Sequence, residues 1–129
     1  MTLSIAVNNL PAAPGAFEVV NHGGALDLAW AVRVEKLVEG GWSPIVVDNL
    51  ELVERCGEPK NASCRTLAAG GSIRPVPWTG YSCSSQCNAA CRANVYYGPG
   101  RFRFVVEDCP QTHRFDGPLF ELPTVPLEP

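Results

Sequence analysis

The stretch ALDLAWAVRVEKL, residues 25–37, alternates apolar side chains with small or charged ones. The apolar side chains fall on even-numbered positions, which are Leu26, Leu28, Trp30, Val32 and Val34. A period of two is typical of a β-strand with one buried face, whereas a helix would repeat its apolar positions every three to four residues. The stretch RFRFVVED (101–108) repeats the pattern, with Phe102, Phe104 and Val106 predicted to point inward.

Shorter apolar runs extend this pattern: LSIAV (3–7), AFEVV (16–20), PIVV (44–47), LELVERC (50–56) and PLFELP (118–123). Turn-forming segments separate them, namely NHGG (21–24), EGGW (39–42), AAGGS (68–72) and GPG (98–100). About seven or eight short strands predict an all-β fold, an antiparallel sandwich that forms one domain over residues 1–129. Because Pro75 and Pro77 remove ladder donors, SIRPVPW should lie at a sheet edge or be interrupted. Residues 124–129 should form an extended tail.

Several of these segments resemble strands of bacterial immunoglobulin-like domains. The segment YGPGRFRF (97–104) is similar to their penultimate strand, and VVNHGG (19–24) is similar to their second strand. WSP (42–44) and LAAGGS (67–72) also fit the pattern. The group includes domains similar to the intracellular proteinase inhibitor of bacilli. The resemblance implies an immunoglobulin-like sandwich, but the six cysteines depart from the inhibitor's pattern, and no functional residue carries over.

Charge and cysteine content limit the partners and the compartment. The net charge is −3 and no basic block exists, so neither nucleic acid nor an anionic membrane is an expected partner. No apolar run approaches the roughly 20 residues needed to cross a bilayer, and the apolar start is too short for a signal peptide. Six cysteines in a small chain are nevertheless typical of a disulfide framework. We therefore expect a secreted, periplasmic or cell-surface protein.

The densest cysteine pattern lies in CSSQCNAACRANVYYGPG (83–100), where Cys83, Cys87 and Cys91 recur every four residues. With Cys109 as a fourth ligand they could form a thiolate zinc site, but zinc knuckles commonly use CxxC pairs and none is present. A thioredoxin-like redox centre also lacks its CxxC motif. Disulfides are the favoured interpretation, with no metal and no cofactor. The segment SSQCNAACRAN (84–94) is then a bridged loop insertion with a short helix.

The pairing of the cysteines stays open at the level of sequence. A short loop between Cys56 and Cys64 favours a disulfide that closes it. Cys109 would then pair with Cys83, Cys87 or Cys91. We favour Cys87–Cys109 together with Cys83–Cys91, although spacing alone does not decide between the alternatives.

Aromatic residues surround the cysteine insertion and form the predicted binding surface. Its members are Trp78, Tyr81, Arg92, Tyr96 and Tyr97, with Arg74 and Arg101 nearby. Trp, Tyr and Arg supply much of the contact energy at recognition surfaces. The alternative is that Trp78 and one tyrosine cap the core, while Trp30 is a core residue and Trp42 a strand-end residue.

Catalytic patterns are weak. His113 and Asp116 accompany Ser84 and Ser85, but no GxSxG nucleophile elbow exists, and Glu107 and Asp108 would point to opposite faces of a strand. A copper or zinc site built from His22, His113 and Asp116 is a weaker alternative to solvated turn histidines.

The sequence therefore predicts a non-catalytic, exported module that binds a protein or glycan, and self-assembly through edge strands is a further hypothesis. A proteinase inhibitor with a constrained loop and a small metal-binding protein are the two alternatives.

Overall fold

The computed structural model describes residues 4–47, 50–52, 64–83, 95–109 and 111–124. Within these ranges the chain forms strands and no helix. The strands are β1 (Ile5–Asn9), β2 (Phe17–Asn21), β3 (Leu26–Ala29), β4 (Arg33–Val38), β5 (Gly41–Ile45), β6 (Cys64–Leu67), β7 (Ser72–Ile73), β8 (Gly100–Glu107), β9 (Arg114–Asp116) and β10 (Phe120–Leu122). The prediction of an all-β fold is confirmed, while the predicted helix in 84–94 lies outside the described residues.

All strand pairs are antiparallel. One layer contains the order β1-β2-β7 and the pair β3-β6, and the other contains the order β10-β8-β4-β5 with β9 also paired to β8. β2 continues into β3, and β6 continues into β7, so that the same two segments pair twice with only a one-residue change of register. They therefore form one ladder with a bulge.

Asn21 holds this bulge together. Its buried side-chain amide donates to the carbonyls of Gly24 and Leu67 at 2.9 and 3.0 Å, and its Oδ1 accepts from the backbone of Gly23 at 2.9 Å. An Asn can satisfy the backbone groups that a bulge leaves unpaired, which is why a polar residue is tolerated inside the sheet. The predicted turn at NHGG is thus a break within one long strand pair.

The second layer shows the same kind of interruption. β9 and β10 both pair with β8, and Gly117 to Leu119 separate them. Asn9 at the end of β1 donates from Nδ2 to the carbonyl of Leu119 at 3.2 Å. This contact joins the edge of one layer to the edge of the other. When each interrupted strand is counted once, the ten strands of the described residues reduce to seven.

Aromatic and branched side chains from both layers form the core between them. The largest fully buried side chains are Trp78, Phe17, Phe102, Phe104, Leu28, Leu52, Val19, Val34 and Val106. Phe17 from one layer stacks on Phe104 from the other, with ring centroids 3.9 Å apart. Burial of one large apolar side chain stabilises the fold by about 1.5–3 kcal/mol, so the side chains of this interface contribute substantially to the stability of the sandwich. Phe102, Phe104 and Val106 point inward as predicted.

The stretch 25–37 is two strands and not one. β3 ends at Ala29 and β4 begins at Arg33 in the opposite layer, with Trp30 to Val32 forming the corner between them. The corner is paired with residues 50–52: the backbone N–H of Val32 donates to Leu50 and that of Leu52 donates to Trp30, both at 2.9 Å. Leu28, Val32 and Val34 all face the core. The apolar alternation is therefore the same before and after the corner, and the sequence pattern does not show that the chain changes layer there.

β5 forms an edge of its sheet. The loop Glu39–Gly40 joins it to β4, and both residues have positive φ, 48° and 81°, as a type I′ turn requires. In such a two-residue hairpin the closing pair Val38–Gly41 is hydrogen-bonded. Every second residue of β5, which includes Trp42 and Pro44, therefore directs its backbone N–H and C=O positions away from β4, toward the open edge of the sheet. Pro44 has no N–H to offer there, and a proline on the outward side of an edge strand hinders pairing with another chain.

Candidate functional site

Cys64 and Cys109 form a disulfide with a Cα–Cα distance of 6.0 Å. The predicted pairs Cys56–Cys64 and Cys87–Cys109 are therefore wrong. The end of β8 crosses toward β3, where Leu28 and Asp108 form a bridge and the N–H of Cys109 donates to the carbonyl of Asp27 at 2.9 Å. β6 pairs with β3 on its other side, so the fold brings together two cysteines that are 45 residues apart in sequence. Spacing along the chain could not show this.

Cys83 is also disulfide-bonded. The predicted pair Cys83–Cys91 stays a prediction, because Cys91 lies outside the described residues, as do Cys56, Cys87 and Arg92. Cys109, paired with Cys64, is not available as the fourth thiolate of a zinc site. Within the described ranges, no group of three or more His, Cys, Asp or Glu side chains is arranged to hold a metal ion.

Trp78 belongs to the core, which corrects its prediction as a surface residue. Its side chain is 1% exposed, and its ring makes edge-to-face contacts with Phe102, Phe104 and Phe120. Its indole Nε1 donates to the carbonyl of Tyr81 at 2.8 Å, so the polar atom of the buried ring is satisfied. Trp78 therefore anchors the start of the cysteine insertion and cannot present its ring to a partner. Trp30 and Trp42 are partly buried.

The two ends of the insertion form a short antiparallel pair, which we call the tyrosine ribbon (residues 80–83 and 95–97). Tyr81 and Tyr96 form a bridge with ring centroids 5.4 Å apart, and the N–H of Ser82 donates to the carbonyl of Val95 at 2.8 Å. Gly80 has a φ of 97°, and a Cβ there would lie only 2.6 Å from the Tyr96 ring. The ribbon therefore requires glycine at this position.

Tyrosine hydroxyls fasten the ribbon to the sandwich. Tyr96 donates to the carbonyl of Pro123 at 2.6 Å, and Tyr97 donates to the carbonyl of Val46, beyond β5, at 2.7 Å. Burial, together with the neighbouring Tyr81, raises the pKa of Tyr96, so the phenol stays protonated and able to donate. Both hydroxyl groups already donate hydrogen bonds to backbone carbonyls of the same chain, so both tyrosines have a structural role.

Lys36 adds a further support that the sequence did not reveal. It lies on the inward side of β4, where its Nζ donates to the carbonyl of Tyr97 at 2.9 Å and lies 5.5 Å from the ring centroid of Phe102. A cation over an aromatic face is attracted to the ring, so Lys36 caps the core as well as the ribbon. The only sequence signal is a lysine at a position whose alternation calls for an apolar residue.

Two valines remain exposed at the ribbon. Val46 is 70% exposed and Val95 is 54% exposed. Val95 lies in the ribbon two residues before Tyr97, whose hydroxyl donates to the backbone carbonyl of Val46. The ribbon and the end of β5 thus present apolar side chains on a base held by hydrogen bonds. Arg74 and Arg101, predicted nearby, form ion pairs with Glu18 and Glu121 at 3.3 Å.

A second polar cluster lies in the turn after β8. The buried carboxylate of Asp108 accepts from the backbone N–H groups of Thr112 and His113 and from His113 Nδ1, each at 2.8 Å. Burial alone would raise the pKa of Asp108, but the hydrogen bonds from His113 and Thr112 lower it to about 2. His113 bonds to Asp108 and not to Asp116, which pairs with Arg114 at 2.7 Å. The cluster therefore shapes the turn and does not assemble the predicted His22–His113–Asp116 set.

The outward face of β4, β8 and β9 carries a third cluster, centred on Glu35. Arg103 Nη2 and Arg114 Nη2 both contact Glu35 Oε1, at 2.7 and 2.8 Å. Burial by itself would raise the pKa of Glu35, but hydrogen bonds from Arg114 and Arg103 lower it. Arg103 also lies 4.4 Å from the ring centroid of Trp42. Sequence alternation placed these charges on the outer face but could not pair them, because the partners belong to different strands.

A cavity of about 240 Å³ opens on this same face, and we call it the ion-pair cavity. Its lining residues are Arg33, Glu35, Pro44, Val105, Glu107 and Arg114. Val105 is buried and forms the floor of the cavity. It pairs with Arg33 on β4 and is two residues before Glu107, so its side chain lies on the same face of β8 as that of Glu107. Arg33 Nη1 contacts Glu107 Oε1 at 3.4 Å. The cavity therefore combines an apolar floor with a rim of alternating charge.

The described residues define an all-β, disulfide-bonded sandwich. No family model, curated protein or solved structure matched the chain in comparisons with known proteins. None of the described segments forms a helix that is long and apolar enough to span a membrane.

Proposed function

We propose that the chain is an exported, non-catalytic binding module with an immunoglobulin-like fold, and that it recognises a protein or glycan partner beside the tyrosine ribbon. The strand order supports the fold assignment, because one layer holds β1, β2/β3 and β6/β7 while the other holds β5, β4, β8 and β9/β10. Successive strands change layer at the β3–β4 corner, as Greek-key sandwiches require. The disulfide between Cys64 and Cys109 supports export, because such bonds persist in oxidising compartments.

One observation carries the binding proposal: the ribbon is braced from several sides while two valines beside it remain exposed. Tyr96, Tyr97 and Lys36 each bond to a backbone carbonyl and hold the ribbon against the sandwich. A surface whose backbone is already ordered loses little conformational entropy on binding. Val46 and Val95 supply apolar area that a partner can cover.

Paired substitutions test this surface. The double variant Val46→Asp/Val95→Asp places charge at the ribbon, whereas Val38→Asp places it at another exposed valine, at the end of β4. The wild-type chain is used to isolate partners from the culture medium of its source, and binding is then measured with each purified partner. We expect the double variant to lose at least tenfold in affinity and Val38→Asp to change it little. Equal binding by the double variant and the wild type would reject the ribbon as the surface.

The proteinase-inhibitor alternative uses the same braced ribbon but a different partner class. Inhibition assays against serine, cysteine, aspartic and metalloproteases separate the two hypotheses. If a protease is inhibited by the wild type and by Val38→Asp but not by Val46→Asp/Val95→Asp, the function is proteinase inhibition through the ribbon surface and the general binding proposal is replaced.

A further inference from the structure

The ion-pair cavity contains two carboxylates that are largely removed from solvent. The side chain of Glu35 is 12% exposed and that of Glu107 is 14% exposed. Every contact to Glu35 from the described residues reaches Oε1, and Glu107 is held only by the 3.4 Å contact of Oε1 with Arg33. No hydrogen bond from the described residues reaches either Oε2 atom, so each retains acceptor capacity for a donor in the cavity.

Arg33 is the weakly held member of the rim. Its side chain is 59% exposed and it makes one long ion pair, whereas Arg114 contacts both Glu35 and Asp116 at 2.8 and 2.7 Å. Because Arg33 is exposed and makes a single long contact, an incoming cation that takes its place at Glu107 can displace it. Arg114 cannot leave as easily, because its hydrogen bonds to Glu35 and Asp116 would both be lost.

We propose that the ion-pair cavity binds a basic side chain of a protein partner, a guanidinium or primary ammonium group on an aliphatic stem. The cationic group displaces Arg33 and donates to the carboxylates of Glu107 and Glu35. The stem covers Val105 and Pro44, which form the apolar part of the lining. Guanidinium–carboxylate pairs are among the strongest hydrogen-bonded pairs in proteins, and the net charge of −3 favours a cation over an anion.

Arg33 therefore acts as an internal competitor for the same carboxylate. This role predicts that replacing Arg33 raises the affinity for the cationic group, whereas the loss of a residue that lines a binding site ordinarily lowers affinity. A cavity for an anion would behave in the opposite way, since Arg33 would then be a ligand. The site is separate from the tyrosine ribbon, so its test does not depend on the partner proposed there.

The experiment is a titration of the whole ¹⁵N-labelled chain with the tripeptide Ac-Gly-Arg-Gly-NH₂, followed by amide chemical shifts. The analogues that carry citrulline or glutamate in place of arginine are the uncharged and anionic controls. We expect binding of the arginine peptide to shift Val105 and Glu107. Arg33→Gln should raise its affinity by about fivefold, and Glu107→Gln should lower it by at least as much.

Arg101→Gln, on the same strand but outside the cavity, is the matched control and should bind like the wild type, as should Val46→Asp/Val95→Asp. Urea unfolding of each variant verifies that the chain is folded. The proposal is overturned if neither the wild type nor Arg33→Gln binds the arginine peptide, if Arg33→Gln weakens binding, or if the glutamate peptide binds in its place.

Discussion

Cys64 and Cys109 are 45 residues apart in the chain, and their disulfide joins β6 of one layer to the end of β8 in the other. A bond that closes so long a loop restricts the unfolded chain strongly. In the chain-entropy treatment this restriction corresponds to about 4 kcal/mol at 25 °C. The disulfide therefore accounts for a substantial part of the free energy of unfolding expected for a small domain.

The double variant Cys64→Ser/Cys109→Ser should consequently lose about 2–5 kcal/mol of unfolding free energy. Urea unfolding followed by tryptophan fluorescence measures the loss, and replacing both cysteines avoids an unpaired thiol. Peptide mapping of the wild type without reduction should recover residues 64 and 109 in one linked fragment. A loss below about 1 kcal/mol, or a map that links Cys64 to Cys56, would contradict the structure.

Asp108 should make stability depend on pH in the acid range. Its pKa is about 2 in the folded protein and ordinarily 3.8. Because the folded-state pKa is the lower one, the stabilisation is fully present above pH 3.8 and is lost as the pH falls through 2. The difference corresponds to about 2 kcal/mol.

Asp108→Asn should therefore lower the free energy of unfolding by about 2 kcal/mol near neutral pH and flatten its decline between pH 4 and 2. Unfolding in urea at a series of pH values provides the measurement. Glu121→Gln, which removes an exposed carboxylate paired with Arg101, is the control and should keep the decline. An unchanged acid decline in Asp108→Asn would show that the turn does not depend on this carboxylate.

Trp78 should behave as a core residue. Trp78→Ala removes a large side chain packed between aromatic rings and is expected to cost about 3–5 kcal/mol. Trp42→Ala, on the outer face beside Arg103, should cost clearly less because its ring is only partly buried. Thermal unfolding of both variants compares them directly, and an equal or larger loss for Trp42→Ala would overturn the assignment.

Pro44 should keep β5 from pairing with other chains. Pro44→Thr supplies an N–H that points away from β4 and restores an edge able to accept a strand. We expect this variant to self-associate at concentrations where the wild type is monomeric, as measured by sedimentation equilibrium. Ser43→Thr changes a neighbouring position whose backbone groups face β4, and it should remain monomeric. A monomeric Pro44→Thr chain would remove the protective role.

The alternation of apolar residues predicted the strands and their buried faces well, because side-chain direction in a strand depends only on parity. RFRFVVED shows this most clearly, with its phenylalanines inward and Arg101 exposed. The same parity concealed the corner at Trp30 to Val32, where the chain changes layer without changing its pattern. β6 and β9 were missed because each is short and neither belongs to a longer alternating run of the kind that contains β3 and β10.

The candidate sites were less predictable, because their partners meet only in the folded chain. Spacing along the chain favoured Cys56 as the disulfide partner of Cys64, whereas the order of the strands places Cys109 beside Cys64. Trp78 follows Pro75 and Pro77, which interrupt the apolar alternation of that segment. The neighbouring sequence therefore did not indicate that Trp78 is buried. Glu35, Arg103 and Arg114 come from three neighbouring strands, and nothing in any one segment indicates that they share a carboxylate oxygen.

The tyrosine ribbon has a practical consequence for engineering. Ser82 and Val95 meet through a 2.8 Å backbone hydrogen bond, and the residues that anchor them, Trp78, Tyr96 and Tyr97, all lie outside 84–94. The sandwich thus supplies two neighbouring attachment points that are tied to its core. A foreign peptide grafted between positions 83 and 95 would be presented beside a ribbon whose contacts through Trp78, Tyr96 and Tyr97 remain in place.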